Sequence, residues 1–386
     1  MTYSKSSIVD ISLLIALLVV FLMRPYFTWQ IPEFVMAVVS AIVMIIAIIN
    51  IQYKNNKSIG LLILLVFSYL LLSFHRGAHI GGLLVNLSFA FFPFMNEDLL
   101  LKVYEKFRLI IITIFCVSMV SYISALVGLQ TPSEFIEPLN DLKQVQYAKY
   151  FFLVLPASLD DFARYCSIFD EPGVIGTMAA LIMCVEGFSL KKKGNVIILL
   201  NGLLSLSLFF YLITGLYLLV KLPMKYKFVF IAGVFILYSA TIDNDIISSF
   251  LWDRLVLNED MTLSGDNRNS EDLIALWDKS KYNFQILWGY GQDYVKGYDD
   301  SASIQLFILR DGLIFVILYF IVYLLYAKLK IKSHKDIIIF ALLMYLTLYQ
   351  RPGFCNIEFT LLFVIYIIKK SKSYVGVSNR DNLQFV

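Results

Sequence analysis

The sequence predicts an all-α, polytopic membrane protein, and three observations support this prediction. Hydrophobic residues make up 59% of the 386 positions, charged residues make up 16%, and the mean hydropathy is +0.75. Soluble proteins average about 45–50% apolar and about 25% charged residues. The apolar residues also occur in blocks of about 16–20, the length that crosses a hydrocarbon core as a helix. These blocks are apolar on all faces, whereas the strands of a membrane barrel alternate apolar and polar positions.

The apolar blocks predict about twelve spans in a single integral membrane domain covering residues 1–386. The first block follows Lys5, and no small-x-small cleavage site comes after it, so we expect it to be a retained span. The predicted spans are 8–23, 33–51, 59–74, 80–95, 108–128, 173–188, 195–207, 208–220, 228–242, 303–326, 336–349 and 354–368.

Short lysine-rich loops between the blocks predict the orientation, because positively charged loops favour the cytoplasmic side. The stretch 195–220 is long for one helix and short for two. A break near residues 205–207 divides it into two segments and keeps every lysine-rich loop on the inner side. Both termini are then predicted to be cytoplasmic.

Two long polar segments, residues 129–172 and 243–302, are predicted to lie on the outer face. The first contains Pro132, Pro138 and Pro156 within its length and an apolar patch at residues 150–155. The second is rich in aromatic residues and has helical periodicity over residues 270–287. Loops of this length are usually functional or disordered. The aromatic side chains favour order and suit stacking on sugars or lying at the membrane surface.

Arginine is distributed differently from lysine. Seven of the nine arginines are predicted to lie on the outer side or at its edge, although positive residues favour the inner side. A guanidinium binds carboxylate or phosphate in a bidentate way that lysine cannot match. Outer arginines could instead pair with loop carboxylates or reach lipid headgroups. Taken as a set, they favour an anion site for pyrophosphate at the outer leaflet. They are Arg24, Arg76, Arg164, Arg254, Arg268, Arg310 and Arg351.

The most informative local string is residues 164–176, at the end of the first long segment. Arg164 offers bidentate donors, and Asp170 and Glu171 offer carboxylates. Pro172 is expected to begin the next helix, and Gly176 permits a close helix approach. The alternative is a structural helix start with a capping carboxylate and an Arg–Asp salt bridge.

Two further strings carry outer arginines. Asn267 and Arg268 precede the stretch 289–291, and Arg268 would lie at the start of an outer helix whose N-terminus points at an anion. Arg351 lies in a short outer turn between the last two spans. An arginine at a membrane edge needs a partner, and Glu358 is the nearest candidate.

Other function classes have little support. A P-loop is missing from the sequence, so ATP-driven transport by this chain is not expected. The net charge of +3 comes with lysines in short loops, which indicates membrane topology and no nucleic-acid partner. The four cysteines form no CxxC or Cys/His cluster, so no metal site is predicted. Cys166 and Cys355 are both predicted outside, so a disulfide between them is an alternative to two thiols.

The chain resembles the Wzy-type O-antigen or capsular polysaccharide polymerases, a family of O-antigen ligase-like membrane glycosyltransferases with a GT-C-like helical fold. The resemblance covers most of the chain as topology, with two large outer loops that each carry an arginine. It also rests on the strings 164–176, 205–207, 267–268 followed by 288–291, and 350–352 with Asn356. The spacing from Arg164 to Gly176 departs from that of the best-described members.

The resemblance implies a reaction at the outer face of the bacterial cytoplasmic membrane. A growing glycan on undecaprenyl pyrophosphate would be transferred to the terminal hydroxyl of a second lipid-linked repeat unit. Arg164 and Arg268 would stabilise the pyrophosphate, and Glu171 or Asp170 would be the base. No metal or cofactor is implied, and the partners would be membrane lipid, a flippase and a chain-length regulator. Substrate contacts would come from Arg351, Arg76, Arg254, Arg310 and Asn267.

Two other functions fit the same architecture. An O-antigen ligase shares the donor, but ligases resemble one another in a functional histidine in the second large loop. Residues 243–302 contain no histidine, which favours a polymerase. A flippase or other transporter is expected to have short loops and charges inside its spans, whereas the charges here concentrate in the two outer segments.

Overall fold

The protein is described from a computed structural model, which is mostly helical, as expected of an all-α membrane protein. The structure describes residues 5–52, 56–77, 80–137, 146–157, 164–245, 248–256, 270–298, 303–354 and 356–383.

Fourteen α-helices lie within the described residues. They are α1 Lys5–Leu22, α2 Glu33–Ile49, α3 Asn56–His75, α4 Ile80–Phe91, α5 Glu97–Leu126, α6 Pro172–Val185, α7 Lys193–Leu204, α8 Leu208–Lys221, α9 Met224–Thr241, α10 Glu271–Ser280, α11 Ile304–Asp311, α12 Leu313–Lys330, α13 His334–Gln350 and α14 Ile357–Leu383.

Four of these helices, α3, α5, α9 and α12, are long and apolar enough to cross a membrane. Helices α2, α4, α6, α7 and α8 are apolar but shorter. These lengths agree with a helical membrane protein. The number of about twelve spans and the side on which each loop lies stay predictions.

The chain forms two compact units. Unit 1 comprises Met1–Arg24, Gln30–Ile110 and Ser270–Val386, and unit 2 comprises Pro25–Trp29 and Ile111–Asn269. Helix α5 contributes its first part to unit 1 and the rest to unit 2. Each unit contains arginines that the sequence predicts to be outside.

In unit 1, α3 packs between α4 and α12, and α2 packs on α4. Helix α3 has 20 residues and therefore extends about 30 Å, close to the thickness of a hydrocarbon core. Near the first turn of α3, the Lys330 ammonium donates to Glu97 over 2.6 Å. At its last turn lie His75 and Arg76. Lysine and arginine therefore concentrate at opposite ends of α3, consistent with the segregation in the sequence.

The predicted span 303–326 is wrong as a single helix, because α11 and α12 are separate. They meet at Gly312, whose φ of +92° is a conformation that glycine adopts easily. A Cβ at Gly312 would lie only 2.6 Å from the carbonyl oxygen of Trp288. The close approach of the 288–291 segment therefore breaks the helix just after Arg310 and Asp311.

The prediction of purely helical structure is also wrong in the first long segment. Three strands form an antiparallel sheet in the order β1, β2, β3, with β1 at Glu134–Ile136, β2 at Tyr147–Tyr150 and β3 at Leu153–Pro156. The apolar patch 150–155 belongs to the β2–β3 hairpin. A two-residue turn closes this hairpin, with Phe152 at a φ of 53°.

The predicted break in the stretch 195–220 is confirmed. Helix α7 ends at Leu204, α8 begins at Leu208, and Leu206 between them has a φ of 45°. A Cβ at Gly176 would lie 2.6 Å from the Ser207 hydroxyl. This contact confirms that Gly176 permits a close approach, here of α6 to the turn after α7.

The helix predicted over 270–287 is shorter in the structure. Helix α10 ends at Ser280, and a 3₁₀ turn follows at Phe284–Leu287. The Ser270 hydroxyl accepts from the backbone N–H of Leu273 over 3.2 Å and caps the helix.

Replacement of Gly289 by alanine is expected to destabilise the protein more than the same change at Gly291. The two glycines have φ angles of 87° and 88°, so both variants carry the same backbone strain. Only at Gly289 would the new Cβ lie 2.6 Å from a backbone oxygen, that of Arg310. We expect the excess cost to be about 2 kcal/mol or more. The fraction surviving heating in detergent measures it, and equal losses would contradict the close approach.

Candidate functional site

In unit 2, the segment that carries Arg164 is held by backbone contacts on three sides. The Val154 N–H donates to Ser167 O over 2.8 Å, and the Tyr26 N–H donates to Ile168 O over 2.8 Å. The Tyr147 hydroxyl donates to Asp170 O over 2.7 Å. The segment from Arg164 to α6 is therefore fixed by β3, by the 25–29 segment and by β2.

Tyr165 anchors the same segment through a buried hydroxyl network. Its hydroxyl donates to the Asn201 side-chain oxygen over 2.5 Å and also contacts the Ser118 hydroxyl. Ser118 in turn lies 2.7 Å from the Ser167 hydroxyl. Burial raises the pKa of the Tyr165 phenol, so the phenol keeps its proton and acts as a donor. Helices α5 and α7 thereby fix the residue next to Arg164.

Arg164 and Arg254 form a pair of like charges in unit 2. Both side chains are partly buried, and burial lowers the pKa of each guanidinium. The positive charge of Arg254 lowers the pKa of Arg164 further. Arginine nevertheless stays charged in proteins, because its ordinary pKa is above about 12. Two neighbouring, partly desolvated cations favour an anion that both can bind.

Glu171 lies at the start of α6, next to this pair. It is the N-cap residue with extended backbone angles of −142° and 138°, and Pro172 occupies the first helical position. Its carboxylate makes no capping hydrogen bond, so Glu171 does not supply the capping carboxylate of the structural alternative. The carboxylate instead lies within electrostatic range of Arg164.

In unit 1, one buried carboxylate brings two arginines together. Arg76 donates to both oxygens of Asp311, over 2.7 and 2.6 Å, and Arg310 donates to the second oxygen over 2.9 Å. Each guanidinium lies over the Phe307 ring at 5.6 Å from its centre. His75 Nε2 lies 2.8 Å from the Arg310 carbonyl oxygen. Arg76 and Arg310, predicted as substrate contacts, therefore share a protein partner.

Asp311 was not among the site residues predicted from the sequence. The signal was present, because an adjacent Arg–Asp pair interrupts an apolar run and Gly312 follows at once. A charged pair inside an apolar run indicates a buried ion pair or a helix end.

Arg351 lies within electrostatic range of Glu358, the partner expected from the sequence. Glu358 is buried, and the Asn356 amide donates to it over 3.0 Å. The Tyr69 hydroxyl donates to Phe354 O over 2.5 Å and holds this turn on α3.

A cavity of about 590 Å³ lies in unit 1, between α2 and α4. Two of the outer arginines line it together with carboxylate, amide and hydroxyl groups. Its polar lining residues are Arg24, Glu33, Ser40, Arg76, Asn86 and Asn356. The sequence analysis did not single out Glu33, Ser40 or Asn86.

Three predicted residues lie outside the described part of the chain. Asn267 and Arg268 belong to the stretch 257–269, and Cys355 lies between the described residues 354 and 356. The structure therefore leaves the second expected catalytic arginine and the Cys166–Cys355 disulfide as predictions.

A comparison with protein-family models, with curated proteins and with solved structures found no match. The function is consequently argued from the residues and their geometry. The likeness to polysaccharide polymerases stays a resemblance of sequence strings and expected topology.

Substitution of Asp311 by asparagine is expected to lower the free energy of unfolding by about 2–4 kcal/mol, because two guanidiniums lose their shared carboxylate. Asp278→Asn is the matched control, since Asp278 pairs with Lys281 over 2.7 Å and its side chain is 58% exposed. The control should cost less than about 1 kcal/mol. Denaturation in detergent compares the two, and similar losses would show that Asp311 does not organise the cluster.

Substitution of Tyr165 by phenylalanine is expected to lower the free energy of unfolding by about 1–3 kcal/mol, because Asn201 and Ser118 lose a buried partner. Tyr282→Phe is the control, since Tyr282 is 88% exposed. The accessibility of an Arg164→Cys thiol to a maleimide, with and without Tyr165→Phe, reports on positioning. An unchanged labelling rate would mean that Tyr165 does not fix its neighbour.

Proposed function

We propose that the protein is a membrane glycosyltransferase that polymerises polysaccharide repeat units. It would transfer a growing glycan from undecaprenyl pyrophosphate to a second lipid-linked unit. The observation that carries the proposal is the pair of partly buried cations, Arg164 and Arg254, beside the Glu171 carboxylate. A pyrophosphate is an anion that two guanidiniums bind well, and the neighbouring carboxylate supplies a base.

The glycosyl transfer requires that the protein position the two substrates and stabilise the negative charge on the leaving pyrophosphate. The acceptor hydroxyl oxygen forms a bond to the anomeric carbon of the donor, and the bond from that carbon to the pyrophosphate oxygen breaks. The electron pair leaves with undecaprenyl pyrophosphate, and the hydroxyl proton goes to a carboxylate. Guanidiniums already in place stabilise the charge that develops on the leaving group, without reorganisation during the reaction.

Glu171 is better supported than Asp170 as the base. The Glu171 carboxylate lies within electrostatic range of Arg164, the cation that would bind the pyrophosphate. The Glu171 side chain makes no capping hydrogen bond at the start of α6. Asp170 contributes its carbonyl oxygen to Tyr147, which supports a part in holding the segment.

In this proposal, Arg254 is the second cation that binds the pyrophosphate, together with Arg164. The sequence assigned that role to Arg268, which lies outside the described residues, and gave Arg254 a substrate contact. The electrostatic coupling of Arg254 to Arg164 supports a direct part in binding pyrophosphate. Arg268 stays a further candidate for the same anion.

Arg76 and Arg310 are less suited to binding pyrophosphate. Asp311 occupies the hydrogen-bonding fork of Arg76 and part of that of Arg310. A phosphate would have to compete with a buried carboxylate that is already in place. We infer that these arginines chiefly hold unit 1 together.

The proposed location is the bacterial cytoplasmic membrane, with the site on its outer face and both termini in the cytoplasm. The apolar helices support a membrane location, and the lysine-rich loops support the orientation. A flippase would deliver the lipid-linked unit, and a chain-length regulator is a candidate partner.

A surface-glycan gel tests the proposal. A strain without this gene would be complemented with wild type, Arg164→Ala, Arg254→Ala, Arg164→Lys or Lys372→Ala. Lys372 is the control because it forms an exposed pair with Asp98 over 2.7 Å. Wild type and the control should restore a ladder. Both alanine variants should leave a single repeat unit, and lysine should restore little, because it lacks the bidentate fork.

Other results of the surface-glycan gel would contradict parts of the proposal. A ladder with both alanine variants, at membrane protein levels equal to wild type, would remove the arginine pair from the mechanism. Loss of even the single-repeat band in the gene-deleted strain would point to ligation or flipping. An unchanged ladder in that strain would exclude this glycan as the product.

A further inference from the structure

The cavity of unit 1 contains a feature that the arginine pair does not explain. Ser40 lines it from the middle of α2 and is fully buried. Its hydroxyl has no hydrogen-bond partner within the described residues. A buried hydroxyl without a partner costs free energy, so it normally finds one.

Other buried serines in the helices of unit 1 form a hydrogen bond within their own helix. The Ser68 hydroxyl donates to Leu64 O over 2.8 Å, and the Ser73 hydroxyl donates to Tyr69 O over 2.8 Å. Each bonds back to the carbonyl four residues earlier in its own helix. Ser40 makes no such bond, although its helix offers the same carbonyl at Met36. Ser40 therefore differs from these serines, because its hydroxyl lies at the cavity wall without a partner among the described residues.

Two amides, those of Asn86 and Asn356, line the cavity together with Ser40. Asn86 is buried and donates to the Ser73 hydroxyl over 2.9 Å, which fixes the orientation of its amide. The Asn356 amide is fixed in the same way by its bond to Glu358. Amides held in one orientation select ligands by the direction of their donors and acceptors.

The charges of the lining nearly balance. Arg24 and Arg76 contribute two positive charges. Glu33 contributes a negative charge from the lining, and Asp311, which Arg76 shares with Arg310, offsets part of the charge of Arg76. An anion such as phosphate would gain less here than beside two facing cations. A neutral ligand with many hydroxyls can bond to amides, hydroxyls and carboxylate alike.

The mouth of the cavity adds an aromatic surface. Phe34 lines it while its side chain is 76% exposed. An aromatic face of this kind packs well on the apolar C–H face of a sugar ring. The volume of about 590 Å³ lies within the range of small-ligand sites, about 300–1,000 Å³.

We propose that this cavity binds an uncharged stretch of carbohydrate through Ser40, Asn86 and Glu33. The identification of that carbohydrate as the sugar part of the lipid-linked repeat unit rests on the proposed function. The site would then recognise the repeating sugar, while the arginine pair binds pyrophosphate.

Equilibrium binding to the protein in nanodiscs tests the proposal. The probe is the radiolabelled oligosaccharide released by mild acid from the lipid-linked repeat unit. Undecaprenyl pyrophosphate is measured in parallel. Ser40→Ala should weaken oligosaccharide binding about three- to tenfold, and Glu33→Gln about tenfold. Neither change should alter binding of undecaprenyl pyrophosphate.

Two matched controls separate recognition from folding. Ser68→Ala removes a buried helical hydroxyl that is already bonded to its own helix, and Glu105→Gln changes an exposed glutamate on α5. Both should leave oligosaccharide binding unchanged. Ser40→Ala should also keep or raise the melting temperature, because the wild-type hydroxyl has no protein partner to lose.

Three results would overturn the carbohydrate site. These are no oligosaccharide binding by wild type, unchanged binding by both cavity variants, or a parallel loss of undecaprenyl pyrophosphate binding. A ladder that still depends on Arg164 would then leave the polymerase proposal standing. Conversely, cavity variants that lose oligosaccharide binding support the site even if the Arg164 and Arg254 variants polymerise normally, which would remove only the arginine mechanism.

Discussion

The ion pair between Asp311 and the two arginines is the constraint on which unit 1 depends. A buried carboxylate is costly unless it is paired and hydrogen-bonded, and Arg76 satisfies it from the end of α3. Helix α11 must therefore stop beside α3, and Gly312 allows α12 to begin in a new direction. The same contact holds Arg76 in the wall of the cavity. One carboxylate thus links the position of three helices to the shape of a binding surface.

In unit 2, hydrogen bonds between neutral groups position the segment that carries an arginine. Tyr165, Ser118 and Asn201 fix the backbone beside Arg164, and no charge in this network competes with a ligand. The difference has a chemical basis. A guanidinium paired with a buried carboxylate has few donors left, whereas the Tyr165 network fixes the backbone next to Arg164 without using a charged group. The two units therefore position arginines by different means.

Much of the fold could be predicted from the sequence, because span length, apolar faces and charged loops are local properties. The break at residues 205–207 follows from the same logic. The sheet in the first long segment was missed because short strands in a polar segment have weak periodicity. The split at Gly312 was missed because its cause is the backbone of Trp288, distant in sequence.

For the candidate site, the residues 164–176 indicated Arg164, but its electrostatic coupling to Arg254 depends on the folded structure. Ser40 carries no sequence signal, since a serine in an apolar helix looks like any other.

Helix α9 has no buried residue among those the structure describes, although it is apolar after Lys225 and Lys227 in its first turn. Its end is tied by the Trp252 indole, which donates to the Thr241 hydroxyl over 2.9 Å, and Arg254 follows two residues later. An apolar helix with no buried residue is suited to contact with lipid. In the proposed membrane location, bilayer thickness and acyl-chain order would act directly on α9, and the bond to Trp252 would pass their effect towards Arg254. The composition of the host membrane would then become a physical input to the geometry of the proposed anion site.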